Sequence, residues 1–218
     1  DDEELEIMLV RAQEIPKYVE DGVFDAGITG YDWILESGAS VTKISELLYA
    51  KSGFRPVRWV LAVPENSKIR SIKDLNGKRV ATELVSFVQK YFSKKKIRAE
   101  VEFSWGATEA KAPSLVDAIV ELTETGSSLR ANKLRIICEL LRSVTLFVAN
   151  NASWKDRRKR EMLENLSILL TGALNAGRLV GLKMNLEEKN LKKVIKELPA
   201  LKNPTISHLA TKGWLAIE

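Results

Sequence analysis

A chain of 218 residues with 45% hydrophobic and 29% charged residues has enough apolar material for a packed core, which excludes a disordered or fibrous protein and leaves one large or two small domains. The 34 Lys and Arg against 29 Asp and Glu leave a net charge of +5, too small and too scattered for a nucleic-acid partner but suited to polyanionic small ligands such as nucleotides. A single cysteine, Cys138, excludes an internal disulfide framework and fits a reducing compartment, while one histidine, His208, and no HExxH or CxxC spacing argue against a transition-metal site.

The chain opens on DDEELEIM, acidic where a signal peptide would be basic, and holds no run of eighteen apolar residues. A cytoplasmic protein with no membrane partner is therefore expected. Residues 5–10 read as a strand and 13–21 as a short helix with Ile15, Tyr18 and Val19 inward and Pro16 in its first turn. A strand over 23–28 leads through Thr29-Gly30-Tyr31-Asp32 into a helix over 33–36. That turn reads equally as an N-cap at Thr29 with Asp32 as its capping-box acid, or as an exposed ligand contact. Strands follow over 41–48 and 57–63, and Pro64-Glu65-Asn66-Ser67 marks a turn. A helix over 71–75, a strand over 78–82, a helix over 84–95 and a strand over 99–103 give the βαβ alternation of a parallel sheet. Trp105-Gly106-Ala107-Thr108-Glu109 opens a further strand-to-helix turn.

Residues 115–142, LVDAIVELTETGSSLRANKLRIICELLR, are the organising stretch. Residues 115–122 are rich in Val, Ile and Leu, as a strand buried in a helix-flanked sheet would be. Thr123-Glu124-Thr125-Gly126-Ser127-Ser128 then crowds hydroxyls around one Gly, and Leu129, Leu134, Ile137, Leu140 and Leu141 follow at near-helical spacing. A helix is expected from Ser127 or Ser128, with Cys138 on it as a buried structural thiol. A loop of this composition between strand and helix suits an anion: first-turn amides and Ser and Thr hydroxyls donate, and Gly126 lets the backbone come close. Asp117 and Glu121, four apart on the strand, and Glu124 in the loop are the acids that would hold ribose hydroxyls or a phosphate-bound Mg²⁺. Ser127 as an ordinary N-cap beside solvated acids is the equally weighted reading.

Residues 145–150 read as a strand, and Asn150 to Ser153 caps a long helix to about Arg178 with Met162, Leu166, Leu169, Leu170 and Ala173 on its apolar side. Arg157 to Arg160 is expected to be a solvated face. A strand over 180–186, a helix over 187–198 and strands over 205–209 and 214–218 give a β-α-β-β order, part of a ferredoxin-like module.

The stretch DAIVELTETGSSLRANKL closely resembles the loop for 5-phosphoribosyl 1-pyrophosphate (PRPP) of the ATP phosphoribosyltransferases, first enzymes of histidine biosynthesis. VRAQEIPKYVEDGVFDAGITGYDWILE (residues 10–36), FSWGATEAKAP (103–113) and GLKMNLEEKNLKKVIKELPALKNPTIS (181–207) resemble the same family in collinear order. The resemblance implies an α/β, two-lobed type II periplasmic-binding-protein-like fold. Residues 1–58 and 145–178 would form one lobe and 59–144 the other, with 179–218 as a partial ferredoxin-like (ACT-like) regulatory domain. It implies ATP and PRPP as substrates, histidine as feedback inhibitor, Mg²⁺ arriving with the pyrophosphate, and dimers assembled into hexamers. Asp117, Glu121 and Arg11 would be catalytic. Glu124, Thr125, Gly126, Ser127, Ser128 and Leu129 would bind PRPP, while Thr29, Gly30, Asp32, Gly106, Ala107 and Thr108 would line the nucleotide cleft. Thr205 and Ser207 would meet histidine. The resemblance also implies elements before Asp1 and after Glu218, so a fragment is expected. Leu84 and Ser86 stand where the family often places an aromatic and an Asn, which removes adenine stacking from that loop. The alternative is a solute- or effector-binding module of the same fold without chemistry, since GVFDAGITG is a pattern such proteins share; a purely structural fragment is a third reading.

Overall fold

The computed structural model describes residues 5–48, 56–177, 181–197 and 204–218. Two compact units emerge, Asp1–Leu174 and Asn175–Glu218.

The first unit is built on two sheets. In chain order its elements are α1 (Ile15–Glu20), β1 (Ala26–Gly30), α2 (Tyr31–Ser37), β2 (Thr42–Leu47), β3 (Val57–Pro64), β4 (Arg79–Thr82), α3 (Val85–Lys94), β5 (Glu100–Phe103), β6 (Ala118–Thr123), α4 (Ser127–Ala131), β7 (Leu134–Ser143), β8 (Thr145–Ala149), α5 (Asn151–Lys155) and α6 (Arg157–Ala176). The larger sheet has the order β5-β4-β6-β3-β7 and the smaller the order β1-β8-β2. β4 runs parallel to β5 and β6, as the βαβ reading requires, and β3 lies antiparallel between β6 and β7.

Both faces of the larger sheet are covered, which is why its strands show continuous rather than alternating hydrophobicity. On one face Trp59, Leu61, Val63, Val80, Ala118 and Val120 pack against Leu84, Val88 and Phe92 of the α3 segment. On the other, Val60, Ala62, Ala81 and Ile119 pack against Ala112, Val116, Leu129 and Leu134. The smaller sheet places Phe147 and Ala149 against Leu163, Leu166, Leu170 and Leu174 of α6.

Three expectations are corrected. The helix expected through Leu141 ends at Ala131, where Asn132 caps it, and Lys133 takes a left-handed φ of 53° that turns the chain into β7. β7 pairs along the whole of β3, but the register shifts between Trp59 and Val60 and again between Leu61 and Ala62, leaving Leu140 and Ile137 as extra residues. Two bulges break the period of two, so Ile137 and Cys138, then Leu140 and Leu141, pack side by side on one core and mimic helical spacing. Cys138 is thus a half-buried strand residue, and burial pushes its thiol up, away from nucleophilic use. Residues 5–10 form no strand: Ile7 and Leu9 are 83% and 99% exposed, and among the described residues no strand pairs with them. The long helix is broken at Asp156, and its buried stripe is Leu163, Leu166, Leu170 and Leu174, with Leu169 69% exposed. The basic run at its start does lie on the surface, Arg157 and Arg160 pairing with Glu161 and Glu164 one turn on.

The second unit holds β9 (Met184–Glu187), α7 (Leu191–Glu197), β10 (Ile206–His208) and β11 (Trp214–Ile217), the expected β-α-β-β order, in an antiparallel sheet β10-β11-β9. Leu186, Leu215 and Ile217 are its buried side chains. The expected boundaries at Arg178, Val180 and Leu198 fall outside the described residues.

Candidate active site

The parallel strands β4 and β5 end at Thr82 and Phe103, level with Val120, and β6 runs on past them to Thr123. Register puts Arg58 of β3 and Arg142 of β7 at the same edge. From this edge β7 passes through Val144 into β8 of the smaller sheet, so the loops after β4, β5 and β6 stand where the chain crosses between sheets. Ligands of open α/β sheets sit outside such strand ends.

The loop after β6 has the form expected of an anion cup. Gly126 takes φ +74°, and a Cβ there would meet Arg130 Nη1 at 3.1 Å, so no other residue fits without strain. Its amide donates to Thr123 Oγ1 at 2.8 Å, and Thr125 and Ser127 share a hydroxyl hydrogen bond of 3.0 Å. Thr125, Ser127 and Ser128 are exposed, while Leu129 is 2% exposed and pins α4 to the sheet. Arg130 Nη1 donates to Thr125 O, bringing a cation to the loop. Glu124 is half-buried within it.

Glu121 lies on the same face of β6 as Ile119 and beneath the 3-10 turn Thr108–Ala110. Burial pushes its carboxyl up, the charges of Glu109 and Glu83 add to this, and the Thr108 hydroxyl and Leu122 amide, both donating to it, pull the other way. Thr108 is fully buried and shares a 2.9 Å hydrogen bond with Ser104, so it bridges Ser104 to Glu121. A carboxyl raised in the folded state contributes its full stability below the ordinary glutamate value and loses it as pH rises through the raised one. Glu121→Gln is therefore expected to be more stable than the wild type at neutral pH, with the gain vanishing below about pH 4; urea unfolding at both pH values measures it.

Other expected site residues are placed elsewhere. Asp117 precedes β6 at its far end, roughly 20 Å along the strand from Glu124. The Arg79 amide donates to its carboxylate at 3.0 Å and Lys78 pairs with it, so hydrogen bonding holds it below the usual carboxylate range in a structural role. Thr29 and Asp32 are internal, at 1% and 3% exposure, where an exposed turn was expected. Thr29 donates to Ala12 O at 2.7 Å, and the N-cap of α2 is Gly30, without a side-chain cap. A Cβ on Gly30 would collide with Asp32 Oδ1, so this Gly serves packing. Asp32 accepts from Trp59 Nε1 at 2.7 Å and Ser143 Oγ at 2.8 Å, tying α2 to β3 and β7. Arg11 is exposed, one residue from the carbonyl that holds Thr29. Gly106 and Ala107 form the left-handed entry to the Thr108 turn, with φ of 60° and 47°. Thr205 and Ser207 are exposed on or beside the edge strand β10 of the second unit.

Sequence reading missed Glu109, Glu83, Arg58 and Arg130. Only pairing and turn geometry bring the first three to this edge; Arg130, four residues after Gly126, was open to a helical-spacing argument.

Comparison with known proteins follows the same division. The HisG profile, described as ATP phosphoribosyltransferase, matches residues 11–172, and the HisG C-terminal domain profile matches residues 176–218. The ATP phosphoribosyltransferase of Chlorobaculum parvum is 57% identical over 218 residues, covering 100% of this chain and 74% of that protein. A Thermotoga maritima ATP phosphoribosyl transferase (HisG:HisZ) complex superposes with a TM-score of 0.66 at 31% identity, over 77% of this chain and 79% of that one. The alkanesulfonate-binding protein SsuA of Xanthomonas axonopodis, at 19% identity and TM-score 0.50 over 76% of this chain and 59% of that one, shares the fold alone.

Proposed function

Because the chain belongs to the ATP phosphoribosyltransferase family, enzymes of the first step of histidine biosynthesis, we propose that it joins N1 of the adenine of ATP to C1 of the ribose of PRPP, giving phosphoribosyl-ATP and pyrophosphate. The observation that carries this reading is the exposed hydroxyl loop with left-handed Gly126 at the C-terminal edge of β6, beside a half-buried carboxyl. It is this loop, rather than the fold, that separates the reading from a solute-binding module.

Adenine N1 is a weak nucleophile and the ribosyl centre passes through a cation-like state, so positioning and charge stabilisation must supply the rate. Thr125, Ser127 and Ser128 donate hydroxyls to the 5′-phosphate, and Gly126 keeps side chains out of its way. Glu121 and Glu124 face the ribose, where a carboxylate accepts from its hydroxyls and favours positive charge on the ring. Arg11 and Arg58 are the cations for the departing pyrophosphate. Gly106, Ala107 and Thr108 border the nucleotide. Asp117, at the opposite edge, has no part in this reading, Asp32 acts by tying α2 to the larger sheet, and Thr29 by holding the Ala12 carbonyl.

Among the described residues no three His, Cys, Asp or Glu gather as a metal cage. Mg²⁺ needs no such cage, being ordinarily held by one or two carboxylates plus substrate phosphates. Glu83, whose charge acts on Glu121, is the carboxylate on hand. Bound there, Mg²⁺ would neutralise charge on the leaving pyrophosphate. Pyrophosphate release requiring both ATP and PRPP is the expected result, and none with the two together would sink the assignment.

The reading extends to a cytoplasmic location, to assembly into dimers and hexamers, and to inhibition by histidine bound near Thr205 and Ser207. Among the described residues no helix is long and apolar enough to cross a membrane. Calorimetry is expected to show histidine binding that weakens in Ser207→Ala; no heat with histidine would remove the regulatory role.

A further inference from the structure

One donor of the anion loop is already taken. Ser128 Oγ donates to Glu109 Oε1 at 3.0 Å, so a carboxylate of this chain sits where a phosphate oxygen would accept. Glu109 belongs to the turn Thr108–Ala110, entered through two successive left-handed residues, Gly106 and Ala107. A hydroxyl has one proton to give, so Glu109 and a phosphate cannot both receive it, and two anions sharing that position repel.

We propose that Glu109 is an internal anion seated in the phosphate loop and that the 5′-phosphate of PRPP displaces it through Ser128. The inference rests on the reading of this loop as the PRPP site. Displacement has a consequence at the next group. Glu109 is one of the two charges acting on Glu121, and Thr108, whose hydroxyl donates to Glu121, rides on the same short turn. Moving Glu109 away removes a negative neighbour from Glu121 as the ribose arrives. The turn would thus report an occupied phosphate loop to the carboxyl facing the sugar. Glu109 is in this sense a positioning residue, acting through Ser128 and Glu121.

A double-mutant cycle on the 218-residue chain tests this, with PRPP affinity read by calorimetry for wild type, Glu109→Gln, Ser128→Ala and the double variant. Gln keeps the shape and the acceptor but not the charge. Glu109→Gln is expected to bind PRPP roughly three- to tenfold more tightly than wild type, and to give less than about a twofold change in the Ser128→Ala background. Unchanged or weaker binding in Glu109→Gln, or an equal gain with and without Ser128, overturns the displacement. Wild type that binds no PRPP defeats the assignment of the loop itself, an outcome separable from the other two. Circular dichroism of each variant keeps misfolding from passing as a change in affinity.

Discussion

Gly126→Val is expected to lower kcat/KM for PRPP by about a hundredfold, the effect of moving a positioning group by roughly an ångström. At φ +74° a β-branched residue is strained, and its side chain grows toward Arg130 Nη1, 3.1 Å from the first added carbon. The strain is relieved only by moving the backbone that carries the Thr125, Ser127 and Ser128 hydroxyls and the hydrogen bond from the Gly126 amide to Thr123. Most of the loss should fall in PRPP affinity, with ATP affinity changed little. Asp117→Asn is the control: it removes a carboxylate from the same strand at the far end, where it is tied to Arg79 and Lys78, and PRPP affinity should stay within about twofold. Pyrophosphate release against PRPP concentration decides both, and full activity in Gly126→Val would remove the loop from the mechanism.

Asp32→Ala should produce the largest loss of stability, about 3 kcal/mol. The carboxylate is 3% exposed and takes hydrogen bonds from Trp59 Nε1, Ser143 Oγ and the Trp33 amide. Truncation leaves the Trp59 indole N–H and the Ser143 hydroxyl buried with a donor each unanswered. Each orphan costs about 1–3 kcal/mol. Asp32→Asn keeps an acceptor and should lose less. Trp59→Phe combined with Asp32→Ala should cost less than the two singles added together, because the second change removes one of the orphans. Guanidinium unfolding measures all of these, and additive losses would mean that the cluster is not one network. Since α2 follows the smaller sheet while Trp59 and Ser143 belong to the larger, the same variants should loosen the seam beside the candidate site.

What the sequence determined by itself was the set of local facts. Ile119 and Val120 mark a buried strand because burial on both faces demands apolar residues in succession. The crowding of hydroxyls around Gly126 marks a tight turn between strand and helix, because Gly alone takes its left-handed φ of +74° without strain. Literal motifs then carried the family. Tertiary structure alone decided the rest, because it turned on partners distant in the chain. β7 became a strand since β3 offered an edge, and its two bulges disguised the period that would have announced it. Asp32 reads as a surface acid until Trp59 and Ser143, 27 and 111 residues away, close around it. Asp117 and Glu121 look alike in sequence, yet the strand between them puts one with the backbone of β4 and the other under the Thr108 turn. Glu109 lay in a quoted motif, but only the meeting of two loops at one sheet edge shows whose hydrogen bond it accepts.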